Sequence, residues 1–250
     1  MKDEEILHLN LRRQALTHDA NGRTVWQPVL VARSIPAAQT ALIICDMWDK
    51  HWSRGATERV DAMAPRMNAV IQRARARGVQ IVHAPSETMD FYAQTAARQR
   101  MILAPRVAPP PVPHPNPPLP IDDSDGGSDT GEPSEYKAWS RQHPAIEIKD
   151  EDGISDDGLE IYSYLQERGT KAVLIMGVHT NMCILNRSFG IRALVRWGVD
   201  TALVRDLTDT MYNPALRPYV AHEEGTRLVI EYIEKFWCPT LASEDLTGSH

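Results

Sequence analysis

Three residues of this chain are of types that combine into a hydrolytic site, and each closes an apolar run. Cys183 lies in GVHTNMCILNRSFG, directly after KAVLIMG (171–177). A short apolar run bounded by glycine reads as a buried strand. A short turn then leads into a helix whose first turn carries the thiol. Free amides at a helix start stabilise an anion, which biases a thiol there towards thiolate. The same amides suit an oxyanion once the sulfur has attacked a carbonyl. Asp46 closes TALIIC (40–45), and Lys149 closes AIEI (145–148). Taken singly, a cysteine after a strand is more often core packing, the aspartate a turn residue, and the lysine a solvated neighbour of Asp150-Glu151-Asp152. Taken together they supply a nucleophile, a base to accept the thiol proton, and a cation that favours both anions.

The elements that must position them alternate along the chain. TALIIC leads to RVDAMAPRMNAVIQRARARG (59–78), which has helical apolar spacing and a terminal glycine. VQIVHA (79–84) is a second strand, and FYAQTAARQRMI (91–102) a helical piece. AIEI reads as the third strand. LEIYSYLQERG (159–169), capped by Asp156 or Asp157, leads into the strand ending at Gly177. VDTALV (199–204) and a long helix over YVAHEEGTRLVIEYIEKF (219–236) complete the pattern. Strands separated by helices imply a parallel sheet with helices on its faces, an α/β fold. In such a sheet the C-terminal strand ends form the crevice where ligands bind. At 250 residues the chain reads as one domain over 39–242, preceded by an accessory segment, 1–38. Within that segment VWQPVLVARSIP suggests an extended strand that Pro28 and Pro36 push to an edge or into a loop.

Composition narrows the function classes. A formal net charge of −6 argues against nucleic-acid binding, which needs a basic surface. No apolar run is long enough for a bilayer, so no membrane partner is expected. Three cysteines fit neither a zinc pattern nor a disulfide framework, and Cys45 and Cys238 read as core. The acidic, amphipathic start lacks a signal peptide's apolar stretch. A cytoplasmic setting is expected, with export behind a removed leader left open.

The ordered pattern TALIICDMWD, then EIKDEDGISDDGLEIYSYLQERGTKAVLIMGVHTNMCI, then ALVRWGVDTALVRDLTD resembles the isochorismatase-like cysteine hydrolases, among them the nicotinamidases and related amidases. The resemblance spans roughly residues 38–104 and 144–237, and its most specific piece is Gly177-x-x-Thr180-x-x-Cys183. It implies a single-domain three-layer α/β/α fold with a six-stranded parallel sheet, the first and fourth strands adjacent. It implies catalytic roles for Asp46, Lys149 and Cys183. A cis Val178–His179 peptide is implied too, with an oxyanion hole from the amides of His179 and Cys183. It also implies a homo-oligomer.

The recognition of substrate is less legible. Trp48, His51 and Trp52 come after the proposed base and form either an aromatic pocket wall or packing under the next helix. His83 and Asn181 are further candidates for substrate contact. Where metal-binding nicotinamidases carry Asp-x-His, this chain has Ser86-Glu87-Thr88. That departure leads us to expect no metal and no cofactor, and it puts pyridine recognition in doubt. Arg187, four residues after Cys183, reads either as a group facing the same side or as a core-edge ion pair. Residues 105–134, Pro-rich and then acidic and Gly-rich, read as a disordered linker or as an arm laid over the surface and anchored by Val112, Leu119 and Ile121. The sequence thus points to a cysteine-nucleophile hydrolase of a small amide or ureido compound acting through a thioester. The alternatives are an isochorismatase-type hydrolase of a non-amide bond and an idle binding or scaffolding member.

Overall fold

The computed structural model describes residues 5–132 and 136–248. The first four residues of the accessory segment and positions 133–134 of the Pro/Asp-rich insertion lie outside the described residues. In chain order the elements are β1 (Ile6–His18), β2 (Thr24–Pro36), a 3-10 turn (Ala37–Gln39), β3 (Thr40–Cys45), α1 (Arg54–Ala76), β4 (Gln80–Ala84), α2 (Met89–Tyr92), α3 (Ala96–Leu103), β5 (Gly153–Ile154), α4 (Gly158–Glu167), β6 (Ala172–Val178), α5 (Cys183–Asn186), α6 (Ile191–Arg196), β7 (Asp200–Asp209), α7 (His222–Phe236), β8 (Thr240–Leu241) and α8 (Glu244–Thr247).

The strands join in one sheet, ordered β2-β1-β8-β7-β6-β3-β4-β5. The α/β class is as expected, with eight strands where six were implied. The additions come from the N-terminal segment. β1 and β2 form an antiparallel hairpin, and Arg12 of β1 pairs with Thr240 of β8. The sequence of β1 alternates Leu7, Leu9 and Leu11 inward, and all three are buried in the core. β2 is the edge strand, as Pro28 requires. Its Val29, Leu30 and Val31 are exposed.

The central strands are buried on both faces, and their alternation builds two cores. Leu42 and Ile44 of β3 join Leu174 and Met176 of β6 against α1 and α8. Ala41, Ile43 and Cys45 join Val173 and Ile175 against α3, α4, α6 and α7. β3 pairs in parallel with β4 on one side and with β6 on the other. The strand order therefore reverses at the β3/β6 junction, where Cys45 lies opposite Gly177. This is the kind of switch point at which open α/β sheets bind ligands.

The stretch AIEI is no strand. Ile146 is buried, but residues 144–146 form a turn, and Asp152 closes another by donating its amide to Lys149 O at 3.0 Å. Pairing with β4 begins only at Gly153. Lys149 thus precedes its strand, and its side chain lies half-exposed beside Glu147.

Most of the insertion lacks regular structure and runs over the outside of the domain. The Val112 amide donates to Arg196 O, Leu119 packs on the second core, and Ile121 is buried. Its acidic end is tied down by side chains. Asp123 accepts from Asn181, Asp125 from Asn213, and Asp129 from Arg59. Among the described residues, no helix is long and apolar enough to cross a membrane.

Candidate active site

Asp46 is fully buried at the end of β3 and adopts a left-handed backbone, φ 45°. Residues other than glycine rarely adopt that conformation, and it recurs at functional sites. One carboxylate oxygen, Oδ1, accepts the Ser86 amide at 2.8 Å. The other, Oδ2, accepts Arg187 Nε at 2.8 Å. The Cys183 thiol lies close enough to this carboxylate for the Asp46 charge to act on it. Burial raises the Asp46 pKa above the ordinary carboxylate value, opposed by Arg187 and Ser86.

Cys183 opens α5, after a tight turn in which His179 O accepts the amides of Met182 (3.0 Å) and Ile184 (3.1 Å). The Val178–His179 peptide is cis. Gly177 carries φ +116°, and a Cβ there would lie 2.0 Å from Cys45 O, so the close strand approach beneath the turn requires glycine. The expected depression of the thiol pKa is not what the surroundings produce. Burial raises it, the Asp46 charge adds to that, and Arg187 offsets only part. The resting group is a thiol beside a carboxylate, and α5 is a single turn whose dipole is too short to reverse this.

Lys149 is not part of the cluster. Its Nζ pairs with Glu147 at 3.0 Å on the surface, and its carbonyl closes the turn before β5. Arg187 provides the cation beside Asp46 instead. The i+4 spacing from Cys183 was the one signal for it in the sequence. After one helical turn its guanidinium reaches back over Trp48, 5.8 Å from the ring centre.

The cavity beside the sulfur measures about 160 Å³. Trp48, His51 and Trp52 line it, as does Trp139, which the sequence did not suggest. Trp139 arrives because 47–49 and 141–143 pair as short extended segments: Trp48 bridges Gln142, and the amides of Asp49 and His143 donate to Arg141 O and Met47 O. The Trp139 and Trp48 rings stack at 4.2 Å. Burial lowers the His51 pKa to about 4, so its ring is neutral at ordinary pH. His179, Met182, Met211, Glu87 and Gly126 of the insertion close the remaining wall.

Two residues expected to touch substrate do other work. His83 is fully buried away from the cavity, bonded to Gln142 and Asp152 at 3.1 Å each. Asn181 bonds to both backbone groups of Met211 and to Asp123, which fastens the cysteine turn to β7's exit and to the insertion. In each case the amide or imidazole is consumed by a buried network, a use that residue type alone does not reveal. Among the described residues no group of three or more His, Cys, Asp or Glu side chains gathers as metal ligands would.

A strap, residues 122–132, lies across this end of the sheet. Arg59 of α1 bridges Asp129 and Asp209, each at 2.8 Å. His222 Nε2 meets Asp209 at 3.0 Å. Burial lowers the His222 pKa, but Asp209 outweighs it and the net shift is upward. Glu132 accepts the Arg54 amide at the start of α1.

Known proteins place this architecture. The cysteine hydrolase from Pseudomonas syringae pv. phaseolicola 1448A superposes with a TM-score of 0.53 at 17% identity, covering 85% of this chain and 92% of that one. An isochorismatase of provisional assignment from Burkholderia xenovorans LB400 superposes with a TM-score of 0.51 at 14% identity, covering 84% and 86%. At such identities the likeness concerns the fold. The search of curated proteins found no match. The sequence profile described as the isochorismatase domain matches residues 40–217, which span β3, the cysteine turn and β7. The chain therefore belongs to the isochorismatase family of hydrolases.

Proposed function

We propose that the chain is a cysteine-nucleophile hydrolase that cleaves the C–N bond of a small amide or ureido compound. The observation that carries this reading is the Cys183 thiol, which lines the cavity and feels the charge of a buried Asp46 that Arg187 holds in place. In the proposed cycle Asp46 takes the thiol proton as Sγ attacks the carbonyl carbon. The raised Asp46 pKa makes it a stronger base than an ordinary carboxylate. Charge developing on the carbonyl oxygen is met by the amides of His179 and Cys183. The C–N bond breaks, and Asp46 returns the proton to the departing nitrogen. A water then adds to the thioester with Asp46 as base, and the acid leaves as Sγ recovers its proton. Arg187 keeps the carboxylate oriented and offsets charge as the thiolate forms.

The cavity volume suits a compact substrate. A dry cavity of about 150 Å³ accommodates benzene. A panel of small amides and ureides, assayed for ammonia release, tests the proposal. Wild-type protein should turn over at least one member, and Cys183→Ala should abolish that turnover without loss of folded signal. Undiminished turnover by Cys183→Ala would exclude the nucleophilic mechanism.

A further inference from the structure

The segment that leaves β7 is the platform on which the cysteine turn is docked. The Thr180 amide donates to Asp209 O at 2.8 Å, and the Thr180 and Thr208 hydroxyls bond at 2.7 Å. Asn181 exchanges bonds with both backbone groups of Met211, each at 2.9 Å. His222, at the start of α7, grips this platform at two points. Its Nε2 lies 3.0 Å from Asp209 Oδ1, and its Nδ1 lies 3.0 Å from Tyr212 O. The close approach of α7 is built in, since a Cβ on Gly225 would run into the Tyr212 ring.

Both partners of the imidazole are acceptors. A carbonyl oxygen has no proton to give, and neither does an ionised carboxylate. A neutral imidazole carries one N–H, so its other nitrogen would turn a lone pair on an oxygen. Only the imidazolium, with two N–H groups, satisfies both bonds. The surrounding charges are mixed, and the negative ones lie closer. Asp209 of β7 touches the ring, and Asp129 of the strap lies 3.6 Å from Nδ1. Arg59 of α1 opposes them but is bound to both carboxylates, and burial keeps the ring of His179 neutral. On α7 itself Glu223 is exposed, and Glu224 is paired with Arg227.

We propose that the His222 imidazolium is a positioning residue for Cys183, a clamp on the exit of β7 whose deprotonation loosens the cysteine turn and the strap. The proposal rests on the reading of Cys183 as the nucleophile. The turn so held carries the sulfur and the amides that would meet the oxyanion, so its looseness reaches the reaction geometry. The direction of the pH response follows. Burial works against the charge on His222, but Asp209 outweighs it, and the folded-state pKa is raised above the ordinary 6.5. The clamp is complete below that ordinary value and is lost as pH rises through the folded-state value. The site is therefore held from the acid side up to neutral pH and loosens in alkali.

Two measurements on the whole chain test this, and neither needs a substrate. Nitrogen-15 NMR of the imidazoles, with His222 assigned through its backbone and titrated from about pH 5 to about pH 10, reads its protonation. Hydrogen exchange of peptides covering 178–183 and 122–132, corrected for the intrinsic effect of pH, reads the clamp. His222 should carry a proton on both nitrogens at about pH 6.5 and titrate above it. Protection of both peptides should fall about tenfold with the same midpoint. His222→Gln should show the lower protection throughout, without that midpoint. A neutral His222 ring at about pH 6.5, protection unchanged across its titration, or the same midpoint in the variant would overturn the clamp. If His222→Gln does not fold, the two wild-type midpoints decide by coinciding or not. Coincident midpoints in a protein that releases ammonia from no amide would support the clamp while counting against the hydrolase reading. Turnover without coincident midpoints would do the reverse.

Discussion

The cation beside the proposed base is an arginine supplied from the cysteine's own turn, not the lysine that the linear pattern offers. Arg187→Met should lower turnover by about 100-fold or more, as expected for the loss of a group that orients a proton acceptor. Lys149→Met, which removes only a surface contact with Glu147, should leave turnover within about twofold. Steady-state rates of the two variants on one substrate check this, and the reverse ranking would restore the lysine. Asp46 itself should act in two separable ways. Its charge raises the thiol pKa, so Asp46→Asn should shift the pH profile of Cys183 alkylation to lower pH. The same substitution removes the proton acceptor and should abolish hydrolysis. Alkylation that shifts to higher pH in the variant would show that the carboxylate is not the group raising the thiol.

At the scale of elements, the site depends on two parallel strands brought together without a side chain between them. Gly177 faces Cys45 across the β3/β6 pair. Gly177→Ala combines a forbidden φ with a backbone clash. It should cost about 3 kcal/mol or more, with the cysteine turn displaced. Urea unfolding gives the number, and a midpoint within error of wild type would show that the strands can part without cost. The helices were the most legible elements. Asp157 caps α4, with its side chain accepting the Glu160 amide, and that cap was readable because a carboxylate before an apolar helical stripe has a local reason to be there. AIEI was misread for the opposite reason. Four residues of alternating character suit a strand by pattern, and only the neighbour, β4, decides where pairing starts.

The whole molecule should lose stability on the acid side in two windows. His51 is held neutral, with its pKa lowered to about 4 by burial. Between its ordinary value near 6.5 and 4 the unfolded chain binds a proton that the folded chain refuses, so stability falls as pH drops through that range. Asp152 is buried, which alone would raise its pKa, but the His83 and Arg75 hydrogen bonds hold it at about 2. Its contribution is complete above the ordinary carboxylate value near 4 and is lost as pH falls towards 2. Melting temperatures recorded from pH 7 to pH 2 should decline through both windows. Asp152→Asn should flatten the lower one, and an unchanged slope there would assign that loss to other carboxylates.

The sequence by itself determined what local chemistry can express. Apolar runs broken by glycine marked β3, β4, β6 and β7, a parallel α/β sheet followed from the helices between them, and Asp46 and Cys183 stood out as strand-end groups. Prolines and valines placed β2 at an edge. Tertiary structure decided everything that depends on which atoms share a space. It left Lys149 beside Glu147 on the surface and put Arg187 on Asp46. His83 and Asn181 were drawn into buried networks, and Trp139 was carried across a long insertion to stack on Trp48. The pKa of Cys183 belongs to the same class, because burial and a neighbouring carboxylate outweigh the one short helix that the sequence could show. A residue's type fixes which bonds it can make, and only the packed neighbours fix which of them it does make.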